Sequence, residues 1–75
     1  MTGAKRQSER VSGVPNVTYD LISVLHNELE GIAALQEYKQ DAQGDQEVLS
    51  LLEQIEQDET QHVQKLRELL AQRLQ

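Results

Sequence analysis

The segment Asp41-Ala42-Gln43-Gly44-Asp45-Gln46-Glu47-Val48 decides the fold. It separates two stretches in which apolar residues recur every three or four positions, the period at which side chains share one face of an α-helix. Gly44 suits the left-handed backbone that ends many helices, Asp45 is a good N-cap directly after it, and Glu47 is favourably placed in the first turn of the following segment. One helix therefore ends at about Gln43 and another begins at about Gln46. A turn of only residues 44–45 leaves the two helices side by side and antiparallel.

Working outward, Leu21, Val24, Leu25, Leu29, Ile32 and Leu35 define the apolar face of a helix predicted over about 17–43. Val48, Leu51, Leu52, Ile55, Val63, Leu66, Leu69 and Leu70 do the same for a helix over about 46–73. Pro15-Asn16-Val17-Thr18 opens the first helix, with Asn16 or Thr18 able to cap its free N–H groups. Residues 1–16 mix Gly, Ser, Lys, Arg and Gln without periodicity and read as a flexible leader. The fold expectation is all-α: an antiparallel two-helix hairpin over 17–75 that dimerises into a four-helix bundle.

Composition supports pairing. A chain of 75 residues is one domain at most, and domains below about 70–80 residues rarely stabilise a single core without a metal, disulfides or oligomerisation. Cysteine is absent and the aromatic content is two tyrosines. The net charge of −6 is uneven, with Lys5, Arg6 and Arg10 in the leader and an acidic body that repels nucleic acid and attracts cations. No apolar run approaches the roughly 20 residues needed to span a bilayer, and the start Met-Thr-Gly-Ala-Lys-Arg has no hydrophobic signal core. A soluble cytoplasmic protein without nucleic-acid or membrane partners is expected.

Three ionisable residues interrupt the apolar stripes. Glu28 lies one turn from Val24, Leu25 and Ile32, while Glu59 and His62 fill the gap between Ile55 and Leu66; Glu30 and Glu37 point the opposite way. Carboxylates are seldom buried without a partner, so this placement asks for a metal, a counter-charge or a proton. Glu28 precedes Gly44 by sixteen residues and Glu59 follows it by fifteen, so at roughly 1.5 Å per residue both lie some 23 Å from the turn. His62 stands on the same face as Glu59, spaced i, i+3. Carboxylate oxygens with an imidazole suit iron or manganese, and zinc as well. Three ligands under-fill one octahedral ion, whereas two chains packed face to face would supply four glutamates and two histidines, enough for two metals.

A Glu on one helix and a Glu-x-x-His on the next, doubled around a bundle, is the di-iron pattern of ferritin-like four-helix bundles. In this chain it reads Glu28, then Glu59-Thr60-Gln61-His62. Over roughly residues 18–72 the chain resembles half of a ferritin, and Asn27-Glu28-Leu29-Glu30 with Glu59 to His62 is most similar to the encapsulated ferritins, whose two-helix subunits build the site across a dimer interface. The resemblance implies a homodimer or higher homo-oligomer, two iron ions per dimer held by Glu28, Glu59 and His62 of each chain, oxidation of Fe²⁺ by O₂ or peroxide, and iron storage or detoxification with an enclosing shell protein as partner. It implies a bridging role for Glu59 and terminal roles for His62 and Glu28. Two departures stand out: the family's tyrosine two turns after the first glutamate is Leu35 here, with Tyr38 pointing elsewhere, and the family's further C-terminal helix and cargo tail have no counterpart before Gln75.

The competing reading is a non-catalytic helical-hairpin interaction module whose buried acids set register. Glu56, at the stripe's edge, is a candidate accessory carboxylate, and His26 reads as a surface residue. There is no Gly-rich phosphate loop, no cysteine nucleophile and no paired histidines for a His-Glu-x-x-His protease.

Overall fold

The computed structural model describes residues 13–74. Two helices account for nearly all of them, α1 over Asn16–Asp41 and α2 over Gln46–Arg73, packed against each other as an antiparallel hairpin. No strand occurs among the described residues. The leader expected over 1–16 falls mostly outside them, and α1 ends two residues earlier than the sequence suggests.

The turn is built as its chemistry demands. Gly44 has φ +92°, a conformation that costs an L side chain steric strain, and the Asp45 carboxylate accepts a hydrogen bond from Val48 N at 3.2 Å. The Asp45 amide donates in turn to Ala42 O at 2.9 Å. The start of α1 differs from expectation. Pro15 occupies its N-cap position, where no side chain caps the helix, and Thr18 is buried within the first turn. Proline's fixed φ and extended ψ set the entry angle without a capping side chain.

The two helices meet along one seam. On α1 it runs through Thr18, Leu21, Leu25, Glu28, Ile32, Leu35 and Lys39 to Ala42 just past the helix end, and on α2 through Leu49, Leu52, Glu56, Glu59, Val63, Leu66 and Leu70, all buried or half-buried. Alternating steps of three and four are the heptad pattern of helices that stay in contact along their length. Among the described residues the buried apolar core is small, consisting of Leu35, Ala42 and Leu70. Much of the expected apolar stripe lies outside the seam: Val24, Leu29, Val48, Leu51, Ile55 and Leu69 are exposed. A stripe that wide spans more arc than one neighbouring helix can cover.

The exposed residues fall on definite sides. Val17, Val24, Gly31 and Tyr38 each precede a seam residue of α1 by one position, and Val48, Ile55, His62 and Leu69 do the same on α2. In an antiparallel pair equal angular offsets from the seam lie on one side, and the groove lined by Tyr38, Asp41, Ala42, Asp45, Val48 and Leu52 spans both helices there. This side is an open apolar face with Leu51 at its edge. The opposite side mixes Ile22 and Leu29 with the exposed polar residues Gln36, Glu53, Thr60 and Arg67. No described helix is long and apolar enough to cross a membrane.

Candidate metal centre

Glu28, Glu59 and His62 come together midway along the helices. One donor atom from each lies within 4.8 Å of the other two. His62 Nδ1 stands 3.7 Å from Glu28 Oε1 on the neighbouring helix and 3.7 Å from Glu59 Oε1 on its own. Neither separation is a hydrogen bond, and both carboxylates leave lone pairs available. Seam positions bring the glutamates to one level, and the i, i+3 spacing sets the imidazole over Glu59.

Burial is graded across the group. The side chains of Glu28 and Glu59 are 20% and 28% exposed, whereas that of His62 is 57% exposed. His62 thus differs from its expected place inside the stripe: it stands on the open apolar face, seven residues from both Ile55 and Leu69. The glutamates rise from the seam toward it, so the donor set opens onto that face.

The donors fit a metal in type and spacing. With bonds of about 2.1 Å, adjacent ligands of an octahedral ion are about 3 Å apart and opposite ones about 4.2 Å apart. The 3.7 Å separations lie between these values, and small side-chain rotations would close or open them. Two carboxylates and an imidazole are a donor set that could hold one metal ion.

Glu56 is committed elsewhere. Its Oε1 pairs with Lys39 Nζ and its Oε2 accepts a hydrogen bond from Gln36 Nε2 at 2.9 Å. The Lys39 and Gln36 hydrogen bonds hold its carboxyl below the ordinary value of 4.5, as does the lysine's charge. Both oxygens are occupied, which corrects its reading as an accessory metal carboxylate. Sequence reasoning also missed Lys39, although its place between Leu35 and Ala42 in the three-four alternation marks it as a seam residue. His26 is exposed as expected, with Nε2 3.4 Å from Glu30 Oε1. Leu35, where the resemblance leads one to expect a tyrosine, is buried in the seam. Tyr38 is exposed on the open face, ten residues beyond Glu28.

Comparison with protein families, curated proteins and solved structures gives no match for this chain.

Proposed function

We propose that the hairpin is one half of a ferritin-like diiron protein that oxidises Fe²⁺. The observation that carries this reading is the convergence of Glu28, Glu59 and His62 from two helices onto one point of an apolar face. Glu56, also on the seam, is paired with Lys39, whereas Glu28 and Glu59 have only His62 beside them among the described residues, and a divalent cation would supply their counter-charge. Two hairpins joined through this face would enclose two copies of the group, and two divalent ions would neutralise their four carboxylates. Iron is the metal whose chemistry this donor set suits for one-electron oxidation, with manganese or zinc as competitors for the same ligands. Each bound Fe²⁺ would give one electron to O₂ or peroxide. In the assembly Glu28, Glu59 and His62 hold the ions, and the surrounding aliphatic side chains exclude bulk water.

The purpose consistent with that chemistry is iron detoxification or storage. A four-helix dimer has no room for mineral, so storage calls for a higher homo-oligomer or an enclosing shell. The alternative, an interaction module without turnover, draws on the same open apolar face and on the ion pair between Lys39 and Glu56 as a register device.

Anaerobic Fe²⁺ titration of the purified chain with mass from light scattering, followed by admission of air and absorbance in the ferric-oxo region, tests the reading. Saturation near one iron per chain, in a dimer or a multiple of it, with rapid oxidation, is the expected result. A well-folded oligomer that binds no iron would leave the acids structural and make the chain an interaction module.

A further inference from the structure

Gly31 sits in the middle of α1, and nothing in the hairpin accounts for it. Glycine is the poorest helix former apart from proline, so an interior helical position without a steric need favours almost any other residue. No such need is visible within one chain. A Cβ at Gly31 would meet nothing of α2 within 4 Å and no side chain beyond its immediate neighbours, and its φ lies outside the range that favours glycine.

Its position is specific. Gly31 lies seven residues from both Val24 and Tyr38, on the open apolar face, and three residues from Glu28, one turn nearer the hairpin's tip. The half-buried Ala34 is one turn further on, so α1 is narrow beside the candidate metal centre. The face around this narrowing is unpartnered, with Val24, Tyr38, Val48 and Ile55 exposed. The candidate donor group of Glu28, Glu59 and His62 stands beside it.

We infer that Gly31 is the point of closest backbone approach between α1 and a helix from a second copy of this chain. The inference rests on the paired-hairpin reading above. On that reading a second copy is the occupant, because an identical hairpin carries the matching donor set at the same level on the same kind of exposed apolar face. Glutamate and histidine side chains are short, so donors on two facing helices can share ions only if the two backbones come close. A side chain at position 31, one turn from Glu28, would wedge them apart.

The test compares the full-length wild type with Gly31→Ala and Gly31→Leu by sedimentation equilibrium, with Co²⁺ as a redox-inert probe and without metal. Circular dichroism is recorded on the same samples. An added leucine has opposite effects under the two possibilities: on an open apolar face with room to spare it adds buried area and tightens association, whereas in a notch it weakens association. Both variants are expected to keep or raise helix content, with Gly31→Leu associating at least tenfold more weakly and Gly31→Ala at least threefold more weakly. Association of Gly31→Leu as tight as the wild type or tighter overturns the notch and leaves the paired hairpin standing. Should Gly31→Leu fail to fold, unchanged or tighter association of Gly31→Ala overturns it equally. A wild type that stays monomeric at every concentration, with and without Co²⁺, overturns the paired hairpin and the notch together.

Discussion

Glu28 of α1 and His62 of α2 face each other across the hairpin with Oε1 and Nδ1 3.7 Å apart, although nearly half the chain separates them in sequence. The distance is too long for a hydrogen bond and short enough for both atoms to take positions around one ion. A carboxylate held on a seam without a hydrogen-bonded partner costs stability until a cation arrives.

Glu28→Ala separates the metal role from a structural one. In metal-free buffer at pH 8 the variant is expected to melt at the wild-type temperature or above it, because it loses a half-buried carboxylate. With Co²⁺ or anaerobic Fe²⁺ the wild type gains stability, about 2.7 kcal/mol when the ion is at a hundredfold excess over its dissociation constant. The variant loses that gain. Differential scanning calorimetry reads both arms, and a variant that melts lower without metal would show that Glu28 makes a structural pairing of its own.

Glu56 carries the acid sensitivity of the seam. Lys39 and Gln36 hold its carboxyl below the ordinary value of 4.5, so it binds a proton less readily in the folded hairpin than in the unfolded chain. A carboxyl with a lowered folded pKa contributes stability that is present above its unfolded value and lost as pH falls through the folded one. The expected outcome is a stability curve that falls below pH 4.5, with a shallower fall in Glu56→Gln. Urea denaturation of both proteins across that range checks the sign; identical slopes would mean that the ion pair with Lys39 is screened by solvent and contributes nothing.

The turn is where single substitutions act on the isolated hairpin. Gly44 has φ +92°, and placing alanine there is expected to cost about 1–2 kcal/mol. Asp45→Ala removes the acceptor of the Val48 N–H, with an expected loss of about 1 kcal/mol. Chemical denaturation at equal protein concentration measures both. Neither residue is one of the three candidate donors, so Co²⁺ stoichiometry is expected to stay unchanged in any fraction that remains folded.

Local chemistry determined the hairpin. Gly44 and Asp45 mark its turn, the three-four periodicity marks its helices, and the count from Gly44 sets Glu28 and Glu59 at one level, because backbone sterics, capping and the helical rise act over a few residues and survive any tertiary context. The partition of the apolar residues was decided only by packing. Val48, Ile55 and Leu69 look as fit for the core as Leu52 and Leu66, and one neighbouring helix has room for a single heptad seam, so the others, with His62, were left on the open face. The pairing of Glu56 with Lys39 and Gln36 was likewise a tertiary outcome. It depends on which long side chains reach across the seam once two helices are aligned, and no spacing along the chain encodes that reach.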